Sequence, residues 1–327
     1  MAILSTSFMG LKIKSPLIIG SSGLTNSIEN IEKFAKMGAG AVILKSLFEE
    51  QITQEANSAI KQGAPNDYPE AEDYIRNYTH QNSVQNYLDL IKTAKKRVDI
   101  PIIASINCAT ATEWTSFAKS IEAAGADGIE LNIFVLPSDF SRSGSENEQI
   151  YFDIIKKVKS EISIPLAVKL SYHFSAVANT FEKLSWTGIQ SLTLFNRFFS
   201  PDIDIHSFEV KPSFVLSKAE DIGISLRWVA LLSNRLRCEI SASTGVHSGE
   251  SLIKQLLAGA QTVQIASVLY KEGIETIATM LDFLTKWMDE NNFADIEAFR
   301  GKLSVGKTTN PATYERVQFM KHFAGIE

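Results

Sequence analysis

The chain has 327 residues, of which 45% are apolar and 21% charged, with a formal net charge of −5. That length and apolar share suit one large core, and α/β barrels often run past about 250 residues as a single domain. Without a basic surplus, nucleic acid is a poor candidate partner, and nothing predicts attraction to an acidic membrane surface. Two cysteines, Cys108 and Cys238, are too few for a disulfide framework or a zinc cluster. No run approaches the roughly 18 apolar residues that span a bilayer. The opening MAILSTSFMGLKIKSPL lacks the charged and apolar regions of a signal peptide. A reducing, cytoplasmic setting is expected.

In chain order, short apolar runs bounded by Gly, Pro or polar residues occur at Pro16–Gly20, Ala41–Lys45, Ile102–Ile106, Gly128–Asn132, Leu166–Leu170, Ser191–Phe195, Glu239–Ala242 and Thr262–Ala266. Continuous apolar runs of this length are what a buried parallel sheet requires. Helix-like segments separate them: Ser27–Met37, Asn82–Val98, Thr112–Ala124, Glu146–Ile162, Ser175–Leu184, Ser225–Leu236 and Ser251–Leu257. A further helix is expected over Val268–Met288. Right-handed crossovers make the sheet parallel, and eight units of even size predict a closed (β/α)8 TIM barrel rather than a doubly wound open sheet. One domain is expected over 1–327, with 291–327 packing outside the barrel. The long connections follow the second, fourth and sixth strands (Ser46–Gln81, Ile133–Ser145 and Asn196–Ile224). All of them belong to the carboxyl face, where barrels bind ligands.

Several strand ends carry chemistry. Gly20-Ser21-Ser22-Gly23 allows close approach to a planar or anionic ligand, or forms a tight turn into the first helix. Lys45 and Lys169 close otherwise apolar strands. Lysines at such positions either stabilise an anion or electron sink at the mouth or are satisfied by a neighbouring carboxylate. Glu130-Leu131-Asn132 adds polar groups at the same level. Ser243-Thr244-Gly245-Val246-His247-Ser248-Gly249 and Ala266-Ser267 follow the last two strands, where TIM barrels frequently bind phosphate. Gly301-Lys-Leu-Ser-Val-Gly306-Lys307-Thr308 has P-loop spacing. A helix-like segment precedes it and Pro311 follows, so the required strand and helix are missing. The five histidines show no metal-ligand spacing. Cys108 faces either the ligand or the packing around the third strand.

Together these residues resemble the dihydroorotate dehydrogenases, above all the soluble class 1 enzymes. Ser22-Gly23 resembles the family's Ala-Ser-Gly flavin turn. Gly38-Ala-Gly-Ala-Val-Ile-Leu-Lys45-Ser46 is similar to its Gly-Ala-Gly-x-x-x-x-Lys-Ser, and Glu130-Leu131-Asn132 to the start of Glu-Leu-Asn-x-Ser-Cys-Pro-Asn. Val168-Lys169-Leu170, Phe195-Asn196 and the stretch from Ser243 to Gly273 follow in the family's order. The resemblance implies an FMN-dependent oxidoreductase acting on CH–CH donors, of the type that oxidises dihydroorotate to orotate in pyrimidine biosynthesis. Ser22, Gly23, Lys45, Ser46, Asn132, Lys169, Gly245, Ala266 and Ser267 would hold FMN. Lys45 and Lys169 would lie near the flavin's pyrimidine end, with Lys45 acting in catalysis, and Asn132 and Asn196 would reach a small anionic substrate. The resemblance also implies a homodimer.

The family's base is a Cys or Ser in the loop after the fourth strand. Here that loop reads Asn132-Ile-Phe-Val-Leu-Pro137-Ser138, one residue longer and apolar where the base belongs. Ser138 is the nearest hydroxyl to that position; Ser141, Ser143, Cys108 and His80 are the other candidates. Arg197 replaces the family's Ser after the sixth-strand Asn, and Asn77–Gln81 stands where the family has its Asn-Ser-Met-Gly-Leu substrate loop. A different substrate is therefore expected. Two rival readings remain at this level: a lyase or isomerase that binds a phosphorylated substrate, and a flavin-binding protein without turnover.

Overall fold

A computed structural model describes residues 2–50, 52, 69–108, 111–197, 200–212 and 215–315, with side chains for all but 69–81, 111 and 112. Eight parallel strands form the barrel: β1 (Leu17–Ile19), β2 (Ala41–Ile43), β3 (Ile102–Asn107), β4 (Gly128–Asn132), β5 (Leu166–Leu170), β6 (Ser191–Leu194), β7 (Glu239–Ser243) and β8 (Thr262–Ile265). Each pairs with the next in chain order, and β8 returns to β1 through Val263↔Leu17, Gln264↔Ile18 and Ile265↔Ile19. The ring is closed, as the eight apolar runs imply.

The helices between them are α1 (Ile28–Lys36), α2 (Pro69–Arg97), α3 (Ala111–Ala123), α4 (Gly144–Lys159), α5 (Val177–Ser185), α6 (Ile222–Leu232), α7 (Gly249–Ala258) and α8 (Thr276–Glu290). Their starts follow capping chemistry: Ser143 and Glu146 form a reciprocal box ahead of α4. Among the described residues no helix is long and apolar enough to cross a membrane.

Several local features differ from the sequence reading, among them a hairpin of Pro201–Asp204 with Glu209–Pro212 in the connection after the sixth strand. The expected helix Val268–Met288 breaks at Gly273 (φ +90), giving Ser267–Glu272 and then α8. α2 begins at Pro69 rather than Asn82, so Asn77–Gln81 is helical backbone rather than a loop. A hairpin absent from the sequence reading joins Thr6–Phe8 to Leu11–Ile13. Its two turn residues, Met9 (φ 56) and Gly10 (φ 76), both take the positive φ of a type I′ turn. Met-Gly lacks the usual Asn-Gly signature, which hid the turn. Phe8 and Met9 are fully buried and pack with Ile18, Ile43, Ile103 and Ala167, closing the amino end of the barrel with apolar side chains.

The stretch after α8 lies against the outer helices. Gly301 N donates to Leu256 O (2.9 Å), Leu303 N to Leu257 O (2.9 Å) and Val305 N to Ala230 O (3.0 Å). The P-loop-like spacing at 301–308 falls within these turns. Ser304 Oγ accepts from Asn234 Nδ2 at 2.6 Å and donates to Gly301 O at 2.7 Å. No phosphate cradle exists without a preceding strand and a following helix.

Candidate active site

Alternation along a strand sends every second residue inward. Above the apolar floor those inward positions turn polar. Glu130 of β4 and Thr193 of β6 are fully buried, Gln264 of β8 is 2% exposed and Lys169 of β5 is 8% exposed. Thr193 Oγ1 and Gln264 Nε2 each donate to Glu130 Oε2 at 2.8 Å. Gln264 Nε2 also reaches Thr193 Oγ1 at 3.0 Å, and its Oε1 accepts from Lys169 Nζ at 3.2 Å. Lys169 Nζ lies 3.8 Å from Glu130 Oε1. Lys169 is thus paired to a carboxylate and also reaches the mouth. Sequence reasoning missed Thr193 and Gln264. The available signal was a polar residue at the inward parity of the apolar strands SLTL and TVQI.

Lys169 lines a mouth cavity of about 130 Å³ together with Ser21, Asn196, Thr244, Gly245 and Ser267. Gly245 follows β7 with φ +80, and a side chain there would meet the backbone of Ile222 at 2.1 Å. Only glycine fits. The segment before α6 is pinned over this cavity by Ser217. Ser217 N donates to Ser267 Oγ (3.0 Å), Ser217 Oγ lies 2.9 Å from His247 Nε2, and Lys271 Nζ donates to Ser217 O (2.6 Å). Burial, and then the Lys271 charge, lower the pKa of His247. At the β1 end, the Leu24 amide donates to Tyr270 Oη at 3.2 Å, and a Cβ on Gly23 would stand 2.9 Å from that oxygen. Ser22 Oγ is enclosed without a hydrogen-bond partner.

The remaining sequence candidates are spread further. Asn196 Nδ2 donates to Asn132 Oδ1 at 2.8 Å, so these two meet beside the cavity. Ser46 Oγ bridges Ser21 Oγ (3.1 Å) and buried Ser105 Oγ (2.7 Å). Lys45 is instead one of the residues lining a separate cavity of about 670 Å³, with Ser27, Asn86 and Tyr87. Beyond Ile43 the chain leaves regular pairing until Leu47, and the inward parity passes to Ser46. Arg197 is held by Asp221 (3.6 Å) and Val215 O (2.6 Å), which offsets its charge.

The β4–α4 loop is open to solvent, with Ser138 exposed and Phe140 fully so. Ser141 Oγ donates to Asp139 at 2.6 Å, and Ser143 caps α4. Cys108 is buried in the apolar core, and burial, followed by the charges of Glu49 and Glu113, pushes its thiol pKa far up. It is no base at neutral pH. The side chain of His80 lies outside the described residues.

A closed (β/α)8 barrel with a buried cation at its mouth, a glycine turn after β7 and a hydroxyl after β8 defines a class of barrels that take anionic ligands at the carboxyl face. Residues 3–288 match the dihydroorotate dehydrogenase family, and the chain belongs to it. It is 26% identical over 305 residues to the catalytic subunit of dihydroorotate dehydrogenase B (NAD(+)) from Methanocaldococcus jannaschii, covering 89% of this chain and 95% of that one. The corresponding subunit from Thermoplasma volcanium is 27% identical over 92% of this chain and 98% of its own. A putative dihydroorotate dehydrogenase A (fumarate) from Aeropyrum pernix is 25% identical over 91% and 96%. The chain is an oxidoreductase of the dihydroorotate dehydrogenase type, acting on CH–CH donors.

Proposed function

We propose that this oxidoreductase uses FMN, held at the barrel mouth, to oxidise a small anionic substrate related to dihydroorotate but distinct from it. The observation that carries the reading is the mouth cavity itself. It joins a buried ammonium, Lys169, to a glycine turn that no side chain can enter and to the Ser267 hydroxyl. These groups suit a ligand that is anionic at one end and accepts negative charge at the other. Enclosed and unpartnered Ser22 Oγ, at the β1 end of the same mouth, adds a polar atom in want of a partner. Ser22, Gly23, Ser46, Asn132, Lys169, Gly245, Ala266 and Ser267 would hold FMN, with Lys45 as an outer contributor.

When bound, FMN supplies the hydride acceptor for the donor's C–H bond. Lys169 brings fixed positive charge to the side where negative charge develops, which is the electrostatic part of such catalysis. Asn132 and Asn196, already hydrogen-bonded to each other, orient the substrate. The proton must go to a base, and Ile133, Phe134, Val135 and Leu136 offer none. Ser138 is the remaining hydroxyl near that position, and it is exposed. The apolar loop is what separates the substrate of this chain from dihydroorotate. A cytoplasmic homodimer belongs to the same reading.

The test is the absorbance spectrum of the purified protein, followed by anaerobic bleaching with candidate anionic donors. A yellow protein bleached by one of them is expected. A colourless protein that also fails to take up added FMN refutes the reading in favour of a phosphorylated-substrate lyase or isomerase. Because relatives are named for NAD(+) and for fumarate, both serve as acceptors in the assay.

A further inference from the structure

The Glu130–Lys169 pair calls for a reason to exist. A buried ion pair is a poor source of stability, since removing two charges from water offsets most of their attraction, and apolar residues of similar volume fold as well. Glu130 Oε2 accepts two hydrogen bonds, whereas Oε1 is enclosed with no hydrogen-bond partner and faces Lys169 Nζ at 3.8 Å. Gln264 completes the arrangement. Its Nε2 is committed to Glu130 and its Oε1 therefore turns to Lys169. An ammonium has three donors, so one is taken by Gln264 and the charge is steered by the carboxylate below. Arg197, the other cation lining the cavity, is held by Asp221.

We propose that Glu130 is a positioning residue that acts through Lys169, fixing the ammonium at the mouth so that its remaining donors and its charge meet the bound cofactor. The inference rests on the FMN reading for what Lys169 meets, but not for the pairing itself. Thr193 and Gln264 hold the carboxylate, the carboxylate holds the ammonium, and the ammonium meets the ligand.

The experiment compares wild type, E130Q, K169M and the E130Q/K169M double variant by three readouts: apoprotein melting, FMN dissociation constant and the midpoint potential of the bound flavin. In the wild-type background E130Q is expected to weaken FMN binding roughly tenfold, within the coupling range of residues in contact, and to move the potential. In the K169M background the same change should alter FMN affinity by less than about twofold, because the residue it acts through is gone. Equal factors in both backgrounds overturn the proposal. So does an E130Q protein that melts lower yet keeps wild-type affinity and potential, which would make the pair purely structural. Should E130Q fail to fold, T193V loosens the same carboxylate more gently, and its effect must likewise vanish in the K169M background. If wild type binds no FMN, the proposed function fails. The apoproteins then decide the pairing, with K169M melting lower and the double variant recovering; additive losses would refute it.

Discussion

Two sectors of the barrel mouth are built differently. Around β5, β7 and β8 the functional groups sit in the strands or in turns that permit no alternative: Lys169 is buried, Gln264 is buried, and Gly245 touches the backbone of Ile222. Past buried Ile133 and half-buried Val135, the β4–α4 loop is exposed, with Phe134 at 42% and Leu136 at 50%. The first sector is fixed by the same contacts that fold the barrel. The second can change length and chemistry without disturbing the core. If the proposed function holds, the cofactor half is the rigid one and the substrate half the variable one, so that one barrel could keep its redox chemistry while its donor changes.

The largest effect bears on the loop. Oxidation of dihydroorotate should be slow or undetectable, because a positioned base is worth typically 10²- to 10⁴-fold and Ile133–Leu136 provides none. Steady-state assay with NAD(+), fumarate or a quinone measures it; turnover of tens per second would overturn the contrast between the sectors. Leu136→Cys, which places a thiol directly before Pro137 as in the family motif, should raise the dihydroorotate rate by about tenfold or more. No gain would mean that the loop's path, and not only its chemistry, has departed.

Next comes the contrast between the lysines. Lys169→Ala should slow flavin reduction by roughly 10²-fold, comparable to losing one oxyanion-hole donor, and leave Glu130 buried without its partner. Breaking such a pair costs about 3–5 kcal/mol, so the variant should also melt well below wild type. Lys45→Ala should do much less on both counts, since Lys45 is half-buried and lines a different cavity. Stopped-flow reduction and calorimetry separate the two. Equal rate losses would bring Lys45 into the mouth when the cofactor is bound.

Gly245→Ala should rank third. The φ of +80 alone strains any side chain by about 1–3 kcal/mol, and the Ile222 backbone adds to it. Lower melting of the flavin-free protein is the expected sign. Unchanged melting with lost flavin would instead mark Gly245 as a ligand contact and nothing more.

The barrel was legible in the sequence because its strands are short, mostly apolar runs and each is delimited by Gly, Pro or polar residues. Pro16–Gly20 contains β1, and Thr262–Ala266 contains β8. Lys169 was legible for the same reason, as a charge in an apolar run. What escaped is what depends on partners distant in the chain. Gln264 matters through Glu130, across |i−j| = 134, and no local pattern links them. Lys45 looks like Lys169 in sequence, but the irregular stretch between β2 and Leu47 changes which residue points inward. The hairpin at Met9-Gly10 escaped because its turn lacks the usual residues.

The smallest effect concerns His247, which pins the segment before α6 through Ser217. Burial and Lys271 hold its pKa below the ordinary 6.5, against weaker upward pulls from Glu272, Asp221 and Glu220. The folded protein therefore disfavours the protonated ring, while the unfolded chain takes up a proton near its ordinary value. The contribution of the neutral ring to stability is intact above about pH 6.5 and is lost as pH falls through the lowered folded value. The ring is half-exposed, so solvent screening keeps the effect small. Between pH 7 and the lower-pH side of that transition, wild type should lose about 1–2 °C of melting temperature more than His247→Gln does. The loss should be accompanied by weaker FMN retention, because Ser217 also anchors on Ser267 at the mouth. Parallel melting curves for the two proteins across that range would show that the His247 ring takes no part in holding the segment, and that Lys271 and Ser267 hold Ser217 without it.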